Sequence, residues 1–293
     1  MINGDLMTLT DICKKAQEIP ASPAILPVCL KLLDDEDASL QELSDVVKQD
    51  IGLSASVLKL ANSAAFGGEV SFDSLDDAIF RLGFSLTYNL VVTAAGGRWS
   101  NVSVDGYSWT PGDFFRHSLT VAVAAQKIAK SLEICDADLA YTAGLMHQSG
   151  KLALAYACPA AIDQARVIVE EQAYNWLQAE EMVLGFNHTQ ISRELLGGWS
   201  FPESLLQVAA HYAKPSVISG EFRSLVEVIH LAKHMAIQTG IGVGEDAFWL
   251  EVDQPVLIHL AEDSANFEDL YAKIVDDVRK RLQGSLLTGA LAI

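Results

Sequence analysis

The chain has 293 residues, half of them hydrophobic, with 8% aromatics and a formal net charge of −18. That much apolar material builds a sizeable core, and the scarcity of aromatics favours closely packed helices over sheets. A pI near 4.6 with no basic stripe excludes nucleic acid as the expected partner.

Ser39 and Glu42 stand at capping-box spacing, so SLQELSDVVKQ reads as a helix with Leu40, Leu43, Val46 and Val47 on one face. GLSASVLKLANSAAF follows, with Leu53, Val57, Leu60 and Ala61 on one side. SLDDAIFRLG starts at a Ser74 cap, turns Leu75, Ala78, Ile79 and Leu82 inward, and stops at Gly83. Ser85 to Ala95 reads as another apolar helix, broken by Gly96-Gly97. Residues 98–110, RWSNVSVDGYSWT, are turn-rich and connect two helical lobes; VSVDGYSW within them is a candidate short hairpin.

A second series opens at Thr110-Pro111, a cap followed by proline at the first helical position. Helices are predicted over 111–131, 136–148, 150–173, 175–184, 188–197, 202–213 and 222–239. Gly240 to Gln254 reads as irregular, and Asn266 as the cap of a last amphipathic helix, NFEDLYAKIVDDVRKRLQ. No alternating pattern is strong enough for a sheet. The expected class is all-α: an N-terminal helical lobe over 1–108, a helical bundle over 109–239 and a C-terminal helical extension over 240–293.

Cys13, Cys29, Cys135 and Cys158 lack CxxC spacing and read as reduced thiols. The N-terminus lacks the basic start and apolar run of a signal peptide, and no apolar stretch approaches membrane-spanning length. A cytoplasmic protein with no membrane partner is the expectation.

His117 lies inside FFRHSLTVAVAAQKIA. His147 and Gln148 end the next helix, in GLMHQSGKLAL, and Lys151 begins another. His188 sits one residue inside a helix start, in GFNHTQISREL, and His211 closes LLQVAAHY. Alone, each histidine reads as a partly buried core residue. At the ends or inner faces of successive helices, however, a bundle can converge such side chains on one pocket. His230 and His234 form an i, i+4 pair that lacks the glutamate of H-E-x-x-H, so they read as structural. Ser149 beside His147 has no G-x-S-x-G elbow, and the glycines at 96–97 and 197–198 lack the strand-to-helix setting of a phosphate loop. Lys151, near a helix start, is either a candidate anion binder or a solvated lysine.

DIGLSASVLKLANSAAF followed by SLDDAIFRLG resembles the N-terminal half of the HDOD domain, the HD-related output domain of bacterial signalling proteins. FFRHSLTVA, AGLMHQSGKLAL, EEMVLGFNHTQISRELLGGWSFPESLLQVAAHY and VIHLAKHMA continue the resemblance in family order, over about residues 18–239. It implies a fold similar to that of the HD phosphohydrolases, which cluster histidines and aspartates around one or two divalent metals. On that resemblance His117 matches the first histidine, and His147 and Gln148 match the His-Asp doublet. Lys151 matches the lysine just after it, which in the hydrolases can face a phosphate. His188 matches a later histidine, His211-Tyr212 occupies a frequent His-His pair, and Lys233 stands where the hydrolases place a final aspartate.

Hydrolysis by such an architecture needs a divalent ion that acidifies bound water and neutralises a phosphoryl oxygen. Gln148 offers only a neutral carbonyl oxygen in place of a bridging carboxylate. The Lys233 ammonium donates and repels; at about 4 Å from a divalent ion the cost is on the order of 8 kcal/mol at an effective dielectric of about 20. Both carboxylate positions are lost, and no acidic support for the histidines is recognisable. The resemblance therefore implies a non-catalytic output or scaffold module that contacts a signalling protein, with no cofactor expected. Three alternatives stay open: a weak single divalent metal on two or three imidazoles, a divergent metal-dependent phosphohydrolase acting on a nucleotide or cyclic dinucleotide, and a sensor that holds a small anionic ligand through Lys151 and the histidines.

Overall fold

The computed structural model describes residues 7–19, 25–35, 37–62, 72–98, 107–110, 112–172, 174–244, 252–262 and 267–287. Every regular element among the described residues is helical and none is a strand, as the composition led us to expect. The candidate hairpin lies largely outside the described residues, as do Pro111 and the Asn266 cap.

Five helices come first: α1 (Leu9–Ala16), α2 (Ile25–Leu33), α3 (Leu40–Lys48), α4 (Ile51–Ala61) and α5 (Leu75–Gly97). Side-chain caps fix the starts of α1, α3, α4 and α5. Ser39 and Glu42 form the reciprocal capping box at α3, and Thr8 with Asp11 forms another at α1, an element the hydrophobic periodicity did not reveal. Asp50 and Ser74 accept the N–H of Leu53 and Asp77 at the heads of α4 and α5. Leu53, Val57, Leu60 and Ala61 form the buried face of α4, as their spacing requires.

Two expectations for α5 need correcting. Gly83 does break the helix, with φ at 76°, yet the chain turns straight into the following apolar run without a loop. Gly96 and Gly97 do not end that run, which stays helical through both; position 96 requires glycine because a Cβ there would come within 2.6 Å of Leu145 Cδ2. At 23 residues α5 is also long and apolar enough to cross a membrane, contrary to expectation. Even so, 61% of its apolar window is buried inside the protein, and the Gly83 kink interrupts it.

The second series comprises α6 (Asp113–Leu132), α7 (Ala137–Met146), α8 (Ser149–Ala157), α9 (Pro159–Gln172), α10 (Trp176–Leu184), α11 (His188–Gly198), α12 (Glu203–His211) and α13 (Arg223–Thr239). Gly112, left-handed at φ 85°, caps α6 in place of Thr110, whose backbone and hydroxyl bond the Asp113 carboxylate instead. The single helix expected over 150–173 is two. Cys158 leaves the helical region and Pro159 has no N–H to continue the ladder, so α8 ends and α9 begins. Asn175 and Asn187 cap α10 and α11 with full capping boxes. Beyond Gly240, α14 (Gln254–Glu262) and α15 (Phe267–Leu287) pack back on α13.

Two glycines set the spacing at the centre. A Cβ on Gly144 would lie 2.7 Å from the Ala122 Cα, so α7 and α6 touch backbone to backbone. On Gly150 it would lie 2.0 Å from the His188 carbonyl oxygen, so α8 rests on the first turn of α11. The Gly150 N–H in turn donates to Ser192 Oγ at 2.7 Å. These contacts bring His117, His147, Lys151 and His188 to one interior region.

Candidate functional site

His117, His147, Gln148, Lys151, His188 and Lys233 are all buried. The His117 and His147 ring centroids are 6.1 Å apart, and Tyr212 stands edge-on to His147 at 4.8 Å. The Lys233 ammonium lies over the Tyr212 ring, 5.1 Å from its centroid. Lys151 lies over Tyr107 and Trp109, at 4.9 and 5.1 Å. Those ring faces stabilise the ammonium ions through their quadrupoles.

His211 does not join the cluster, which corrects the expected pair. It is half-buried at the end of α12, where burial and then Arg193 lower its pKa; its neighbour Tyr212 turns inward in its place.

Glu180 is the residue that sequence reasoning missed. Its carboxylate, fully enclosed on α10, accepts the His188 backbone N–H and the His188 Nδ1–H, both at 2.7 Å on Oε2. On Oε1 it accepts the Tyr107 hydroxyl at 2.7 Å. Burial raises the carboxyl's pKa, but His188 and Lys151 outweigh it and hold the group below the usual carboxylate range. For His188, burial outweighs Glu180, and the imidazole stays neutral more readily than a free one. A neutral ring that donates from Nδ1 accepts at Nε2, so the Tyr212 hydroxyl donates there at 2.7 Å. The signal for Glu180 was present: it follows Trp176 by four residues, so it shares the buried face of α10.

His147 donates from Nδ1 to the Gly144 carbonyl at 2.7 Å, which leaves Nε2 as an acceptor. That atom, both polar atoms of Gln148 and the Ser149 hydroxyl have no hydrogen-bond partner among the described residues. Burial, then the charges of Lys233, His117 and Lys151, push the His147 pKa well below the usual imidazole range. His230 is structural: Nδ1–H donates to the Tyr212 carbonyl at 2.8 Å, and Nε2 accepts the Asp253 N–H at 2.9 Å. Its neighbour His234 packs edge-on at 4.7 Å. Among the described residues, no three His, Cys, Asp or Glu side chains gather in an arrangement fit to hold a metal ion.

A cavity of about 650 Å³ opens beside this cluster. Lys151, Trp176, His188, Tyr212 and Lys233 are its buried lining, while Glu181, Lys214 and Gln254 line it from exposed positions.

An all-helical bundle with inward-facing histidines and two interior lysines is the class that fold and site define. The HDOD domain pattern matches residues 19–215, and the chain belongs to the HDOD family. An uncharacterised protein of Treponema pallidum is 22% identical over 221 residues, 75% of this chain; the match spans 42% of that protein's length. Among solved structures, an HDOD domain protein of Geobacter sulfurreducens is similar at a TM-score of 0.69 and 21% identity, covering 92% of this chain and 98% of its own. A candidate phosphohydrolase of Shewanella amazonensis gives 0.68 and 24%, covering 94% and 97%. A candidate signal transduction protein of Marinobacter aquaeolei gives 0.71 and 20%, covering 99% and 67%. At these identities the likeness establishes the shared fold.

Proposed function

We propose that the chain is a non-catalytic signalling module that works through contact with another protein. One observation carries this reading: the Lys233 ammonium sits over Tyr212, close enough to His147 to depress its pKa, at the position that HD-type hydrolases give to an aspartate. An internal cation there opposes a metal ion electrostatically. Gln148, the other replaced carboxylate, cannot bridge two ions. Glu180 holds a negative charge, but it is bonded to His188 and Tyr107. Membership of a family of output domains and likeness to a candidate signal transduction protein support the signalling role.

The test is the metal content of freshly purified, untagged protein, measured by plasma mass spectrometry, with phosphodiester hydrolysis assayed in parallel. The expected result is less than about a tenth of an equivalent of any transition metal, none gained on incubation, and no turnover. About one equivalent, lost together with hydrolysis in His147→Ala, overturns the reading in favour of a phosphohydrolase. Pull-down from native extract is expected to return a reproducible protein partner.

A further inference from the structure

We propose that the cavity beside Trp176 binds a small neutral polyhydroxyl molecule, a mono- or disaccharide. This goes beyond the signalling reading, since a module that acts only through protein contact needs no ligand. A buried donor left over carries the inference. Trp176 lines the cavity and is 3% exposed, and its indole N–H has no acceptor among the described residues. An indole nitrogen only donates, and a buried donor left unpaired costs stability, so an occupant that satisfies it must bring an acceptor.

Helix caps supply the neighbouring donors. Asn175 and Gln178 spend their side-chain oxygens on each other's backbone N–H at the head of α10. Asn187 spends its own on the Thr189 N–H and hydroxyl at the head of α11. Each therefore presents an NH2 group with no acceptor among the described residues, and all three side chains line the cavity.

Acceptors stand among these donors. The Glu181 carboxylate lines the cavity from an exposed position, and Asp253 commits only Oδ2, to the Ser216 N–H at 2.9 Å. Uncharged donors and carboxylate acceptors in one space call for a ligand that both gives and takes hydrogen bonds. A simple anion only accepts and gains nothing from the two carboxylates, while an ammonium ion only donates and leaves the indole unsatisfied. A hydroxyl does both from one atom, and the adjacent hydroxyls of a sugar repeat that atom at close spacing. Lys151 and Lys233 also line the cavity, but each has further interactions within the protein, and neither charge enters this selection. A volume of about 650 Å³ lies in the range of small-molecule sites and admits one or two sugar rings.

The test is an NMR titration of the isotope-labelled full chain with glucose, galactose, mannose, ribose and maltose. Trp176→Phe assigns the indole N–H signal by its loss. At least one sugar is expected to move that signal saturably, with a Kd of about 1 mM or tighter. Asn175→Asp together with Gln178→Glu keeps both capping acceptors and removes both NH2 groups. Helix α10 stays capped in that variant, and binding is expected to weaken about tenfold. Raising the salt from about 50 to about 500 mM is expected to change the Kd by less than about twofold, as for an uncharged ligand. Three results overturn the proposal: no saturable shift with any of the sugars up to about 50 mM, unchanged affinity in the double variant, or glucose 6-phosphate binding about tenfold more tightly than glucose. None of them alters the metal content, on which the signalling reading stands.

Discussion

One oxygen of Glu180 receives both the backbone N–H and the ring Nδ1–H of His188, each at 2.7 Å. That relationship fixes the direction of the next hydrogen bond, from Tyr212 to His188, while two backbone groups set the His230 ring independently. His188 gives to Glu180, Tyr212 gives its hydroxyl proton to His188, and His230 gives to the Tyr212 carbonyl. The Asp253 N–H then closes on His230 from the C-terminal side. With both ring nitrogens occupied, His188 and His230 act as braces, and a metal would have to break a hydrogen bond to use either.

Acid should therefore loosen the protein well before ordinary carboxylates titrate. The folded pKa values of His147 and His188 lie below the ordinary imidazole value of 6.5, because burial disfavours the charged ring. Below about pH 6.5 the unfolded chain binds protons that the folded chain refuses, so stability falls as pH drops toward the depressed folded values. Each such histidine contributes a slope of up to about 1.4 kcal/mol per pH unit in that window. Glu180, whose folded pKa is lowered from 4.5, adds stability above that value and loses it as pH falls through the folded pKa. Urea unfolding at pH 8, 7, 6 and 5 is expected to show this decline, shallower by about one proton in His147→Gln. Stability that is flat from pH 7 to 5 would contradict the assignment of neutral histidines.

At the end of α4, Asn62 holds Phe72 with both ends of its amide: Nδ2 donates to the carbonyl at 3.0 Å, and Oδ1 accepts the N–H at 2.7 Å. Asn62→Ala strands a backbone donor and acceptor on a buried residue, for a loss of about 2 kcal/mol. The urea midpoint measures it. Asn62→Asp should fail to rescue, since a carboxylate accepts the N–H but repels the carbonyl.

The capping spacing of Ser39 and Glu42 was legible in the sequence and placed α3 within a residue, and the expected bounds of α10 and α11 agree to within a residue. Capping is local, so a single chain displays it. The site was only partly legible. His117, His147 and His188 converge as their helix positions suggested, but whether His211 or Tyr212 turns inward depends on how α12 sits against its neighbours. Glu180 shares a helix face with the apolar Trp176, yet an acid beside another acid in EEMVLG looks solvated until the bonds to His188 and Tyr107 are seen. Gly96 looked like a breaker because the Leu145 side chain that fills its space comes from a distant helix.

Gly150 shows the same dependence on a distant helix. Its missing Cβ would meet the His188 carbonyl oxygen at 2.0 Å and the Ser192 nitrogen at 2.6 Å, both on α11. The Ser192 nitrogen and the carbonyl are backbone and cannot swing aside, so α8 must shift. Gly150→Ala is expected to cost about 3 kcal/mol or more, a large value for one methyl group. Gly198→Ala is the control, because its Cβ would come no closer than 3.4 Å to the Gln17 side chain. Near-equal urea midpoints for the two variants would mean that α8 and α11 pack less closely than described.

The interior lysine makes the reversal of the site testable. Lys233→Asp together with Gln148→Asp replaces an ammonium and an amide with two carboxylates beside His117 and His147. Where the native chain is expected to take up less than about a tenth of an equivalent of manganese or zinc, the double variant is expected to approach one equivalent. Binding should release protons and raise the melting temperature in proportion to the logarithm of free metal. The single variants separate the two contributions: Lys233→Asp removes the repelling charge, whereas Gln148→Asp leaves it in place and is expected to gain little. Uptake by Gln148→Asp equal to that of the double variant would show that Lys233 does not oppose the ion, and would remove the main support for a non-catalytic role.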